Sequence, residues 1–391
     1  MKKKVLAVSE YYLPGFRGGT IYSLANIVSR LSDRYEFWIL TTDRDVTETA
    51  PYTGITPGQW TPVGAAMVCY ISPPGLTLRS LRTLVGRVNP DMLFVLSAFS
   101  RTTVRLLLLR WLRLLIDRPM LVAPEGEFTA GALQHKPARK RVFLKVAEAL
   151  ELHARVNWRA TTPEEAEDIR RVIGSRAPVF LAPCVPEQAP VAEAQPLLKR
   201  PGQVNFVYLS RITPKKNLLF ALERLGETQR EIALDVLGPI EDPLYWAQCV
   251  SYAERHCPRI DLRYCGEVPH ASVTTELGRR HFLLLPSLGE NFGYVILEAL
   301  ACGRPVVLSD RTPWRALQAA GAGWDIDLLD TEAWRRAIVR CVDMADPEYQ
   351  LMVVAASVHA RGEVNGTATE AAIATAFDAV MAGHRAGGPR S

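Results

Sequence analysis

Residues Leu285–Asp310, LPSLGENFGYVILEALACGRPVVLSD, decide how this chain is read. An apolar strand, His281 to Pro286, runs into the loop Glu290-Asn291-Phe292-Gly293. A helix then spans Tyr294 to Ala301, ended by Gly303 and Pro305. Glu290 and Glu298 are thereby held eight positions apart on either side of one helix start. A helix N-terminus offers unpaired N–H groups and the positive end of a dipole, which suits a phosphate and leaves the two acids for other work. An ionised carboxylate accepts two hydrogen bonds from a vicinal diol, such as the edge of a ribose or hexose. A nucleotide sugar carries both diols and a diphosphate.

Outward from this stretch, strand-length apolar runs alternate with helical patterns, the sequence form of doubly wound α/β domains. Strands are expected near Lys4–Ser9, Tyr35–Thr42, Met92–Ser97, Pro119–Ala123, Val156–Thr161 and Val179–Ala182. The pattern restarts after residue 200, with strands near Val204–Ser210, Ile232–Gly238, Asp261–Gly266, Phe282–Leu285 and Pro305–Ser309. The expected organisation is a first Rossmann-like domain over 1–188, a proline-containing linker over 189–203 and a second such domain over 204–366. A final helix and tail occupy 367–391. In such sheets ligands sit beyond the carboxyl ends of the strands, so the loops that follow strands are the places to search.

The loop after the first strand is EYYLPGFRGG, Glu10 to Gly19, where Gly18 and Gly19 allow close backbone approach at the start of a helix. After the first strand of the second domain comes Ser210-Arg211-Ile212-Thr213-Pro214-Lys215-Lys216-Asn217. Arg211 can fork onto phosphate oxygens, and Lys216 adds a mobile point charge. A basic loop on a solvated face is the alternative reading of this segment.

The GENFG, EALACGRPVV and SD elements around the E-x7-E pair resemble the signature of retaining glycosyltransferases of the GT-B fold, in family 4 (glycosyl transferases group 1). The resemblance implies two Rossmann-like domains facing across a cleft, with the C-terminal helix crossing back to the first domain. It implies that Glu298 binds the ribose, Glu290 contacts the donor sugar, and the backbone of Asn291, Phe292 and Gly293 holds sugar hydroxyls or the distal phosphate. Arg211 and Lys216 fit the family's R-x4-K arrangement for a departing diphosphate, Gly266 and Val268 would border the base, and Gly18-Gly19 the donor phosphates. No cofactor or metal is implied; the donor expected is a UDP-sugar in preference to a GDP-sugar. Asp43-Arg44-Asp45 and Asp325-Ile326-Asp327 are not read as metal-binding DxD motifs.

The segment Leu121 to Leu133, LVAPEGEFTAGAL, followed by Lys136, Arg139, Lys140, Arg141 and Lys145, resembles a bacterial polysaccharide-assembly branch in which the loop reads PRGEF. Glu125 stands where that pattern has Arg, and Tyr294 where GENFG usually continues with His. The resemblance makes Glu127, and less directly Glu125, candidate acceptor-binding residues, with Glu127 also a candidate base. Ordinary loop acids are the alternative. The activity implied is transfer of a hexose from a nucleotide sugar to a saccharide or polyprenyl-linked acceptor. A nucleotide-sugar epimerase, or a catalytically silent nucleotide-sugar-binding subunit, would use the same residues.

Composition bounds these readings. At 391 residues, 48% apolar and 22% charged, the chain is of ordinary globular character and long enough for two domains. Its seven cysteines form no CxxC pair, which argues for a reducing compartment and against a zinc site or disulfide framework. MKKKVLAVSEYY reads as a first buried strand, and no stretch reaches the apolar length of a membrane span. The charge is uneven: residues 1–200 hold 27 Lys and Arg against 18 Asp and Glu, the remainder 19 against 23. With no nucleic-acid-binding motif, the basic half points to an anionic membrane surface or a phosphate-bearing acceptor, hence a cytoplasmic protein peripheral to the plasma membrane. A helix over Thr102–Arg118 would place Leu107, Leu108, Trp111, Leu112, Leu114 and Leu115 on one arc, packed on its sheet or turned to the membrane.

Overall fold

The computed structural model describes residues 1–15, 19–45, 48–134, 137–186, 197–365 and 368–386. The chain divides into two compact units: Met1–Gln188 with Thr367–Ser391, and Ala189–Gly366. The first unit holds strands β1 (Lys3–Val8), β2 (Tyr35–Thr42), β3 (Trp60–Val63), β4 (Ala66–Ile71), β5 (Met92–Leu96), β6 (Met120–Ala123), β7 (Val156–Ala160) and β8 (Val179–Leu181). The second holds β9 (Asn205–Leu209), β10 (Ile232–Leu237), β11 (Ile260–Gly266), β12 (Phe282–Leu285), β13 (Val306–Ser309) and β14 (Gly323–Ile326).

The first sheet runs β3-β4-β2-β1-β5-β6-β7-β8, parallel throughout except for the β3–β4 hairpin. The second runs β11-β10-β9-β12-β13-β14 and is wholly parallel. Central strands such as β5 and β12 are buried at every residue, because crossover helices cover both faces. In each sheet the chain leaves its first strand to one side and later returns to the other. The two switch points fall between β1 and β5 and between β9 and β12. At a switch point the loops diverge and leave a crevice at the carboxyl ends of the strands.

The last helix, Ala368–Ala386, packs on the first unit. Phe377 lies 5.2 Å from Phe94 and 5.5 Å from Tyr35 between ring centroids, while Lys3 and Arg34 pair with Asp378 at 3.1 and 3.0 Å. Of the segment read as a linker, residues 189–196 lie outside the described residues. From Leu197 onward the chain is packed on the second unit: the buried Lys199 ammonium donates to the carbonyls of Arg200, Val342 and Met344 at 2.9, 2.9 and 3.2 Å.

Three strands were not expected. In β3 and β4 the run WTPVGAAMVCYI is broken by Pro62 and three small residues; Pro62 is tolerated because β3 is an edge strand. Strand β14, GWDI, is short, carries Gly and Asp, and has little intrinsic strand preference. Asp325 of the second DxD thereby lies on an edge strand, accepting from the N–H groups of Ala316 and Leu317 at 3.3 and 3.0 Å. Asp43 of the first is buried and paired with Arg44 at 2.8 Å. The Thr102–Arg118 helix also falls short: it spans Arg101–Trp111, and Arg113 takes a left-handed φ of 57°. Leu106, Leu107 and Leu109 are buried against the sheet, whereas Trp111 and Leu112 at the helix end, and Leu114 past the break, are exposed.

Candidate active site

The loops after β9 and β12 flank the second unit's switch point, and backbone hydrogen bonds tie them together. Leu288 donates its N–H to the Lys215 carbonyl at 2.9 Å, and Glu290 its N–H to the Arg311 carbonyl at 3.0 Å. Pro214–Lys216 forms one turn of 3₁₀ helix, closed by Asn217 in the left-handed conformation. That turn aims Lys216 inward, where its Nζ meets Glu290 Oε1 at 2.5 Å. Both side chains are largely buried, at 14% and 10% exposure, so the pair is shielded from bulk screening. Burial pushes the Glu290 carboxyl up, but the Lys216 ammonium and a hydrogen bond from Ser287 outweigh it and hold the carboxyl below its ordinary value. Such a lowered group stabilises the fold above the unfolded carboxylate range, a contribution lost as pH falls through its folded value.

Gly293 caps the following helix, Tyr294–Ala301, at φ 78°, and a Cβ there would lie 2.6 Å from Ile296 Cδ1. Glycine is what lets the loop turn into the helix at this point. Among the described residues the N–H groups of Asn291, Phe292 and Gly293 donate no hydrogen bond, as the geometry of a helix start leads one to expect. One turn into the helix, Glu298 Oε1 meets His270 Nε2 at 3.0 Å.

His270 opens the helix after β11 and was not singled out from the sequence. It stands directly behind the Gly266–Val268 loop, and the rule that favours loops after strands would have found it. Gly266 ends β11 at φ 83° and accepts from the Gly238 N–H at 2.8 Å; Val268 is half-buried on the unit's core. Gly238 is a second omission. A Cβ there, at φ 126°, would fall 2.1 Å from the Ser210 carbonyl oxygen, so only glycine lets the β10 turn lie against the start of the Arg211–Lys216 loop. Gly238→Ala is expected to displace that loop and lower stability by about 1–3 kcal/mol, read by chemical denaturation. An unchanged midpoint would contradict the close approach.

Arg211 does not join Lys216 and Glu290. Its guanidinium is exposed and pairs with Glu241 at 2.6 Å, across the loops after β9 and β10. Among the described residues no three His, Cys, Asp or Glu side chains come together as a metal-binding group.

In the first unit, Gly18 lies outside the described residues and Gly19 opens the helix Gly19–Leu31. Glu125 follows β6 with a left-handed φ of 51°. Its carboxylate is buried and already taken up: Arg159 donates to it at 2.8 Å and Ser23 at 3.1 Å. Burial raises its pKa, against the pull of Arg159. Glu127 reaches to the loop after β5, accepting from Ser97 Oγ at 2.7 Å and from the N–H groups of Ala98 and Phe99 at 2.5 and 3.3 Å. It too has its pKa raised by burial, opposed by those donors.

Residues 203–344 match the family model described as glycosyl transferases group 1. They belong to that family. The O-antigen chain mannosyltransferase B of Escherichia coli is 33% identical over 130 residues, 31% of this chain and 33% of that protein. The chain spans a third or less of the length of the relatives it matches in sequence. Sucrose-phosphate synthase from Thermosynechococcus elongatus superposes over 98% of this chain and 100% of its own, with a TM-score of 0.69 at 15% identity. Anabaena HepE, solved in complex with UDP-glucose, covers 96% of this chain and 99% of its own, with a TM-score of 0.67 at 15% identity. The fold is GT-B. Within the glycosyltransferase domain, the matched segment contains Arg211, Lys216, Gly266, His270, Glu290 and Glu298.

Proposed function

We propose that this chain is a metal-independent, retaining glycosyltransferase that moves a hexose from a UDP-sugar to a saccharide or polyprenyl-linked saccharide acceptor. The observation that carries the reading is the Lys216–Glu290 pair, buried at the β9/β12 switch point beside a helix start that has no side-chain cap. A cation, unpaired N–H groups and carboxylates side by side are what a diphosphate joined to a hydroxyl-rich sugar demands.

In this proposal Lys216, joined by Arg211 once it leaves Glu241, neutralises the diphosphate as the anomeric carbon–oxygen bond breaks. Charge stabilisation of the leaving group is the main catalytic effect. Glu290 contacts the donor sugar, the amides of Asn291 to Gly293 hold its hydroxyls or the distal phosphate, and Glu298 takes the ribose diol from His270. Gly266 and Val268 border the base, and Gly18 and Gly19 approach the phosphates. Glu127 orders the acceptor-side loop after β5, while Glu125 acts through Arg159 and Ser23 rather than on the acceptor.

The complex of Anabaena HepE with UDP-glucose supports UDP as the nucleotide, and the E. coli O-antigen relative supports surface polysaccharide as the product. No helix among the described residues is long and apolar enough to cross a membrane. A cytoplasmic enzyme at the inner membrane face is supported by exposed Trp111, Leu112 and Leu114, and by Val142 and Val146 among Arg139, Arg141 and Lys145.

The test is incubation of the full chain with UDP-hexoses in EDTA, with and without saccharide acceptors, following the anomeric protons by NMR. Release of UDP with a product of the donor's own anomeric configuration is expected. An inverted product, dependence on added metal, or an epimerised donor without UDP release would overturn the proposal.

A further inference from the structure

The first unit has its own switch point, between β1 and β5, and a cavity of about 220 Å³ opens there. It is smaller than the ~300–1,000 Å³ of pockets that enclose drug-sized ligands, and is sized for one sugar ring or part of one. Its walls differ in charge. One is the start of the Arg101–Trp111 helix, where Arg101 and Arg105, four residues apart, fall on the same face. The other comes from the loops after β1 and β2 and carries Glu10, Asp45 and Glu48.

The two arginines are held ready rather than spent. Among the described residues neither Arg101 nor Arg105 forms a salt bridge or side-chain hydrogen bond, whereas Arg44, which also lines the cavity, is fixed by Asp43 at 2.8 Å. Burial raises the pKa of Glu10, and the nearby Arg101 charge works against it. The loop leading into the arginine-bearing helix is strained and pinned. Ser97 takes φ 85°, and Glu127 grips Ser97, Ala98 and Phe99. Left-handed backbone at a non-glycine residue is strained and persists where surrounding contacts impose it. Those contacts set where Arg101 begins.

We infer that this cavity is a subsite for a sugar bearing an oxyanion: Arg101 and Arg105 hold the anionic substituent while Glu10, on the facing wall, accepts from ring hydroxyls. Guanidinium groups at a helix start bind phosphate or carboxylate with fixed geometry, and carboxylates opposite them select hydroxyls and repel a second anion. A neutral sugar would leave the arginines unmatched. The inference rests on the glycosyltransferase reading for its role, as the acceptor subsite, but the binding itself is independent of that reading.

The test is calorimetric titration of the full chain with glucose 6-phosphate, glucuronic acid and methyl glucoside, each repeated on Arg101→Gln and Arg105→Gln, with UDP as a control ligand. At least one charged sugar is expected to bind tenfold or more tighter than methyl glucoside, the two charged probes separating phosphate from carboxylate. Either substitution should cut that affinity at least tenfold and leave UDP affinity within twofold. Equal binding of charged and neutral sugars, binding that survives both substitutions, or no binding of either charged sugar would overturn the inference. Loss of UDP binding in the wild type would instead remove the proposed function, with the charged-sugar result still deciding the subsite.

Discussion

Lys216→Gln is expected to lower sugar transfer by about two to three orders of magnitude, the usual cost of removing one charge-stabilising group from the transition state. Glutamine retains a donor for Glu290, so the carboxylate is not stranded and the change in stability should stay near ~1 kcal/mol. The ammonium is what the reaction loses. In the proposed reaction charge grows on the diphosphate as the sugar departs, and in a site where Lys216 is only 14% exposed that charge would be poorly screened. The check is kcat from UDP release, beside a denaturation curve for the same variant. Turnover within threefold of wild type would remove Lys216 from the mechanism.

The second large effect falls on stability. Arg159 is wholly buried in β7, donating to Glu125 and to the carbonyls of Ala182 and Pro183 at 2.8, 2.8 and 2.9 Å. Arg159→Leu strands a buried carboxyl and two carbonyls, which costs about 3–5 kcal/mol and lowers the Tm on the order of 10 °C. With its counter-ion gone, Glu125 keeps only the Ser23 hydrogen bond against burial and titrates higher still, so the loss should be smaller in acid than at pH 7. Adding Glu125→Met to Arg159→Leu should recover much of the loss, because an apolar pair of similar volume is often neutral against a buried ion pair. Calorimetric scans of the single and double variants decide it. Equal Tm values for wild type and Arg159→Leu would contradict the packing described.

Much of this architecture was legible because parallel strands buried on both faces leave uninterrupted apolar runs, as in MLFVL at β5 and FLLL at β12. Edge strands have no such mark: β3 carries Pro62, and β14 carries Asp325 among four residues. The helix break at Arg113 was hidden for a different reason. Nothing in RLLLLRWLRLLIDR signals it short of Pro119, and it is tertiary structure that ends the helix. In the site, Lys216, Glu290 and Glu298 were visible through motif and spacing. What sequence could not give was partnership. His270 with Glu298, Arg211 with Glu241, and Arg159 with Glu125 are contacts between residues 28 or more positions apart, made only when the sheet order brings their loops together. Arg159 was doubly concealed, since an arginine inside a strand is ordinarily placed on a solvated face.

In the proposed enzyme the β9 and β12 loops of the glycosyltransferase domain form a nucleoside-diphosphate site that works without metal. Titration of UDP into the full chain in EDTA, compared with Glu298→Ala, tests it most directly. Saturable binding by the wild type, weakened at least tenfold by Glu298→Ala with the fold intact, is the predicted result. No binding, or binding indifferent to Glu298, would contradict it.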